Sequence, residues 1–351
     1  MYWIEVLLVS YKRSQPKITG RELARLLDVS PATISNALNG HDDRVSPETK
    51  RKIVEAAKRY GYLPPRRAKK ARKASDTIAF VVLSENLNSW FLGNLSGIAD
   101  VCRKRGYALI QILFPTWDQT YFEDVLHKTN PAGALYICTP GHPIVDGLER
   151  FGIPAVAIDC YDDDTRWNTV HLDNFQGAYD AVSYLLESGH RRIGLISGGD
   201  DWPSGVYRKR GFMKALEDWG IPYDPRIVYN GHFTQFGGYL GAKILLATDP
   251  TITAFFAVSD EMALGALRAI TDLGLGVPQD ISVVGFDGIP VGQNFSPPLT
   301  TVETDPYAVG TSACTMLLGM LESNTEQTAK VVVDVKLVVR GTTRSLERVS
   351  C

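Results

Sequence analysis

Two sets of side chains in this sequence could do chemistry, and they call for different partners. Ala32, Thr33, Ser35 and Asn36 are small, mostly polar residues in one short stretch. Side chains of that size fit a DNA major groove about 12 Å wide, where hydroxyls and carboxamides read base edges. The second set is aromatic. Trp90, Trp117 and Trp202 each follow an apolar run of strand length. Flat rings at strand ends can stack on the apolar faces of sugars while carboxylates and guanidinium groups take the hydroxyls. The same set would also hold a purine between aromatics.

Other chemistries lack their residues. No GxGxxG follows a strand and no GxxxxGK[ST] occurs, so dinucleotides and nucleoside triphosphates have no phosphate cradle. No HExxH or GxSxG is present. The six histidines show no metal spacing and the five cysteines form no CxxC pair. We therefore expect no catalytic residues, no metal and no cofactor, and a reducing, cytoplasmic setting. Residues 1–16 place their basic residues after a short apolar run, the reverse of a signal peptide, and are read as an N-terminal extension. No window approaches the roughly 20 apolar residues of a membrane span, so no membrane partner is expected.

Charge separates the chain into a head and a body. Residues 12–75 carry 17 Lys+Arg against 6 Asp+Glu, a net of +11, whereas residues 76–351 carry 20 against 32, a net of −12. A short basic head points to a polyanion, and duplex DNA is the partner its elements fit. Thr19-Gly20-Arg21-Glu22 is a capping box that opens a helix with Leu23, Ala24, Leu26 and Leu27 on its apolar face. Asp28-Val29 makes a turn, and Ser30-Pro31 opens a second helix that Asn39-Gly40 ends. Ser46-Pro47-Glu48 opens a third, whose inner stripe is Ile53, Val54, Ala56, Ala57 and Tyr60. Two short helices with a tight turn, braced by a third, make a helix-turn-helix. A three-helix packing module without DNA binding would show the same periodicity, and the charge favours the first reading.

From residue 77 apolar runs (78–83, 107–113, 134–138, 155–159, 192–197, 227–230, 254–258, 281–287) alternate with helix-length amphipathic stretches. Such runs are parallel strands covered on both faces. About nine βα units exceed one ordinary sheet, so two doubly wound subdomains are expected, with a ligand crevice at the strand C-termini.

The stretch from Ile18 to Pro65, with VSPATISNALNG, VSPETKRKI and GYLP, resembles over about 45 residues the N-terminal signature of the lactose/galactose-repressor (LacI/GalR) family of bacterial transcription regulators. Residues 76–343 resemble the sugar-binding-protein-like core of the same family through VHLDNFQGAYDAVSYLLESGHRRIGLISG, SDEMALGALRAI, VPQDISVVGFDGIP and VVRGTTR. The resemblance implies an all-α helix-turn-helix head plus an α/β body of two periplasmic-binding-protein-like subdomains. Residues 17–63 would be the DNA-binding domain and 64–75 a hinge. Residues 76–351 would bind an effector and dimerise, with one subdomain at 76–172 plus 304–330 and the other at 173–303 plus 331–343. DNA contacts are expected at Thr19, Ser30, Ala32, Thr33, Ser35, Asn36, Asn39, Arg66, Lys69, Lys70 and Ala71.

Two departures from the family pattern matter. Asn36 stands where Arg is most common, giving up cationic reach but keeping a fork for adenine. Ala71 stands where the family's hinge helix wedges a leucine into the minor groove. A methyl group is a poor wedge, so less kinking and more backbone electrostatics are expected. A solvated linker is the plain alternative for this basic run.

Effector contacts are implied at Trp90, Phe91, Asp173, Arg208, Phe233, Ser259, Asp260 and Asp287, all at strand C-termini or in the loops that follow. Each has a plainer reading: Asp260 as a helix N-cap, Asp287 as a turn former, Arg208 in a surface ion pair, Trp90-Phe91 as core. The implied protein is a homodimeric regulator, most simply a repressor, of double-stranded operator DNA with a small-molecule effector, a sugar being favoured. A purine or nucleoside effector, a lost ligand response, and a sugar-modifying enzyme are the alternatives.

Overall fold

The computed structural model describes residues 19–38, 45–60, 75–83, 88–114, 116–138, 142–160, 167–200, 202–323 and 328–346. The chain divides into two compact units, residues 1–73 and 74–351.

In the first unit α1 (Gly20–Leu26), α2 (Pro31–Leu38) and α3 (Pro47–Tyr60) bury Leu23, Ala24, Ile34, Ala37, Val45, Ile53, Ala56 and Ala57. Local chemistry sets each start. Thr19 Oγ1 accepts from Glu22 N at 3.3 Å while Thr19 N donates to Glu22 Oε2 at 2.7 Å, closing the capping box. Ser30 Oγ accepts from Thr33 N at 3.0 Å, and Ser46 Oγ from Thr49 N at 3.2 Å. Asp28 makes the turn between α1 and α2 in the left-handed region, φ 51°. Two residues expected inside are not: Leu26 is 57% and Tyr60 45% exposed. At about 100° per residue, Leu26 lies well off the centre of the face set by Leu23, Ala24 and Leu27. Tyr60 ends α3 with the Arg59 guanidinium over its ring.

The second unit holds two six-stranded sheets. The first has the order β11-β5-β4-β3-β1-β2, where β1 is Thr77–Val82, β2 Ala108–Leu113, β3 Gly133–Ile137, β4 Ala155–Ile158, β5 Asn168–Leu172 and β11 Lys330–Val333. The second has the order β12-β10-β9-β8-β6-β7, where β6 is Ile193–Ser197, β7 Val228–Asn230, β8 Ala254–Ala257, β9 Ser282–Asp287, β10 Thr300–Glu303 and β12 Lys336–Val338. Every pairing is parallel except β10 with β12. Inner strands such as β1 (TIAFVV), β3 (GALYI) and β8 (AFFA) are buried almost throughout, as strands covered on both faces must be.

The helices that matter below are α4 (Ser89–Arg105) and α12 (Pro306–Ser323) on the first sheet, and α7 (Asn174–Glu187), α8 (Pro203–Asp218), α9 (Gln235–Thr248) and α10 (Asp260–Asp272) on the second. The chain passes between the sheets three times: at Asp173, at Thr304-Asp305, and at Asp334-Val335. The third passage falls later than the expected boundary at 330/331. Residues 330–333 pair in parallel with 169–172 and so extend the first sheet.

Candidate effector site and nucleic-acid interface

On α2, Ile34 and Ala37 face the core, which leaves Ala32 exposed and Thr33, Ser35 and Asn36 partly exposed. Thr33 is committed to the helix start, its Oγ1 lying 2.8 Å from Ser30 Oγ, and Thr19 is likewise occupied by its capping box. Arg21, Arg25, Arg51, Lys52 and Arg59 are exposed on α1 and α3. Asn39, Arg66, Lys69, Lys70 and Ala71 lie outside the described residues.

In the body the site is built around Arg208 on α8, which is 3% exposed. Its Nε donates to Asn174 Oδ1 at 2.7 Å, and its Nη1 donates to Val258 O at 2.5 Å and to Asp287 Oδ1 at 3.0 Å. The guanidinium carbon lies 3.7 Å from the Phe286 ring centre. Arg208 is thus a buried clamp, not half of a surface ion pair, and Nη2 carries none of these bonds. Asp287 ends β9 with φ 115°, a strained conformation for a non-glycine residue, which turns its carboxylate back to Arg208.

Asn174, the first residue of α7, extends the cluster into the first subdomain. Its Nδ2 donates to Asp159 Oδ1 at 2.9 Å, and Asp159 directly follows β4. Asp287 is therefore bonded to the guanidinium directly, and Asp159 is linked to it through Asn174. Burial pushes Asp159 up to about 6 against the pull of Arg208, and raises Asp287 for the same reason. Neither Asp159 nor Asn174 was singled out from sequence. Asp159 reads as the end of the apolar run AVAID, and Asn174 as the neighbour of Asp173 in HLDN. The signal that could have found them is a polar residue closing a buried strand or opening the helix that follows.

The other expected positions divide by what occupies them. Asp173 accepts from Gln176 N at 3.0 Å and caps α7. Ser259, not Asp260, caps α10, accepting from Met262 N at 3.3 Å. Asp260 is fully buried, with Ile289 N donating to Oδ2 at 2.8 Å and the Thr301 hydroxyl donating to Oδ1. Both of its oxygens are bonded within the second subdomain, and none of its surface is exposed. It fixes the turn that follows Asp287. Burial, reinforced by the Asp287 charge, pushes it up to about 8.

Phe233, at φ 55°, lays its ring on the start of α8; a Cβ on Gly198 would come within 2.1 Å of it. Asn88 caps α4 through the amides of Trp90 and Phe91, at 3.1 and 3.2 Å, and the two rings meet edge to face at 5.2 Å. Among the described residues Trp90 Nε1 is buried without a hydrogen-bond partner. Trp90, Phe91 and, from the second subdomain, Trp202 pack against the core of the first. Trp117 does not join them. It is packed among Phe114, Phe122 and His142 at 4.7–5.5 Å, on the other face of the first sheet. Among the described residues no group of three or more His, Cys, Asp or Glu could hold a metal ion, and no helix is long and apolar enough to cross a membrane.

Residues 20–65 match the model of bacterial regulatory proteins of the lacI family, and residues 182–343 that of the periplasmic binding protein-like domain. The HTH-type transcriptional repressor CytR of Escherichia coli (strain K12) is 32% identical over 339 residues, 95% of this chain and 99% of that protein. The structure of a transcriptional regulator CelR–cellobiose complex superposes with TM-score 0.76 at 30% identity, covering 93% of this chain and 99% of the other. That of the lac repressor dimer bound to operator and the anti-inducer ONPF gives 0.69 at 26% identity, covering 94% and 100%. With similarity running through head and body alike, the chain belongs to the lacI family of bacterial regulatory proteins and is a DNA-binding transcription regulator, not an enzyme.

Proposed function

We propose that this regulator is a homodimeric repressor whose head reads operator DNA and whose body binds a sugar between its two subdomains. The observation that carries the effector reading is the buried Arg208 clamp with Asp287 on one side and Asn174–Asp159 on the other. A buried guanidinium bonded to one carboxylate and linked through Asn174 to a second gives both donors and acceptors to a polyol. Among the described residues Trp90 Nε1 is a buried donor without a partner, and it suits a ligand oxygen. The CelR relative's complex with cellobiose supports the ligand class. The lac repressor's capture on operator as a dimer supports the DNA partner and the oligomer.

On this reading Ala32, Ser35 and Asn36 face base edges, while Arg66, Lys69, Lys70 and Ala71 belong to a hinge that follows the phosphates. Calorimetric titration of the full chain with cellobiose, D-ribose and adenosine tests the effector reading. A saccharide should bind to the wild type and fail with Arg208→Met. Equal binding to both, or binding of the nucleoside alone, contradicts it.

A further inference from the structure

Val335 lies in the third passage between the subdomains, between β11 and β12. Among the described residues it alone packs against both subdomain cores. It rests directly on α7 because position 177 is glycine. A Cβ on Gly177 would lie 2.6 Å from Val335 Cγ2 and 3.0 Å from Cε2 and Cζ of Phe286. Phe286 is fully buried in β9, one residue before Asp287, and its ring lies under the Arg208 guanidinium at 3.7 Å. One helical turn before Gly177, Asn174 holds Arg208 Nε. The clamp is therefore joined twice to the start of α7, by a hydrogen bond through Asn174 and by contact through Phe286. Val335 and Phe286 meet on one face of that turn, in the space that a Cβ at position 177 would fill.

We propose that Gly177, Phe286 and Val335 form a bearing that transmits the state of Arg208 to the third passage, so that ligand engagement sets the angle between the subdomains. This rests on the reading of the Arg208 cluster as the effector site. The three are positioning residues, and none is assigned a ligand contact. Close-packed contacts without spare volume pass on a displacement instead of absorbing it, and packed interfaces switch between discrete arrangements. A Cβ at position 177 would force Val335 off the helix or push the Phe286 ring toward Arg208. Loss of the Val335 methyls would leave the passage free to move without the clamp.

The test compares full-length wild type, Val335→Ala, Gly177→Ala and, as a control of like size, Val339→Ala, a side chain 50% exposed. Amide hydrogen exchange without ligand is read at residues 172–174 and 303–306, passages that do not contain Val335. Coupling is read as the ratio of operator Kd with and without saturating cellobiose, D-ribose or adenosine. We expect Val335→Ala to speed exchange at both remote passages at least fivefold. Gly177→Ala should change the coupling ratio at least fivefold while operator Kd without ligand stays within twofold. Val339→Ala should change neither. Should Val335→Ala not fold, the near-isosteric Val335→Thr takes its place in the same measurements.

Unchanged remote exchange together with wild-type coupling in both variants overturns the proposal, whatever happens to Tm. Altered exchange with wild-type coupling overturns its transmitting role. If the wild type answers none of the three ligands, the effector reading fails for them and the exchange measurement alone decides whether the bearing exists.

Discussion

At the scale of residues, the body's chemistry concentrates in a few buried charges, and their titration is testable. Asp260 ionises near pH 4 in the unfolded chain and is pushed up to about 8 when folded. Between those values the folded protein holds the extra proton, so stability should fall as pH rises through this window. The slope for one such group is at most about 1.4 kcal/mol per pH unit. Asp260→Asn can still accept from Ile289 N and can donate to Thr301, so it should fold and flatten this slope. Urea unfolding at pH 5, 6, 7 and 8 checks it, and an unchanged slope would show that Asp260 is ionised when buried. Arg208→Met leaves Asp287 and Asp159 without their cation, and breaking a buried pair this way costs about 3–5 kcal/mol. The mutant body should melt markedly lower at pH 8 and recover part of the loss at pH 5, where protonation relieves the carboxylates. In the head, Asn36→Ala should weaken specific operator binding by about 1–3 kcal/mol while leaving the salt dependence intact, since Asn neutralises no phosphate. A change in the salt slope instead would mean that Asn36 acts indirectly on phosphate contacts.

At the scale of elements, what could be read from sequence depended on how each element earns its burial. β1, β3, β8 and β9 are continuous apolar runs because both faces are covered, and so they stood out. β5 (NTVHL) and β10 (TTVE) lie inside their sheets yet carry polar residues, and no apolar run marks them. Thr300 and Thr301 are buried because their hydroxyls serve Arg340 N, Thr343 and Asp260, partners that only the tertiary fold supplies. β11 and β12 are short edge strands whose partners are remote in sequence, so the last passage between subdomains lies a few residues later than the sequence pattern predicts. The helix starts were legible because capping is local: Thr19, Ser30 and Ser46 all cap as their spacing requires. Thr19→Ala removes one such cap and should cost the head about 1 kcal/mol. Thermal unfolding of the head, followed by circular dichroism, should show a lower midpoint; an unchanged one would mean the box is redundant. The Arg208–Asp287 pair was readable only as two positions 79 residues apart, and Asp159 and Asn174, which complete it, were hidden in a strand end and a helix start.

At the scale of the whole molecule, the two units divide the work by charge: a head rich in cations and a body in net negative balance. If the head supplies the phosphate neutralisation, as proposed, operator affinity should fall with salt by roughly 0.9 log units in K per log unit of salt for each phosphate contacted. A dependence that persists after removal of residues 1–75 would place DNA binding elsewhere. Regulation requires the body to bias the head, and couplings of that kind typically amount to about 1–3 kcal/mol, a fivefold to 150-fold change in affinity. The most direct test is one titration of the full chain against a fluorescent operator duplex selected from random DNA, with and without saturating cellobiose or D-ribose, in wild type and Arg208→Met. At least one sugar should shift the wild-type Kd fivefold or more in either direction, and Arg208→Met should bind the same duplex but ignore the sugar. A wild type that selects no duplex, or a sugar response that survives the loss of Arg208, would contradict the account.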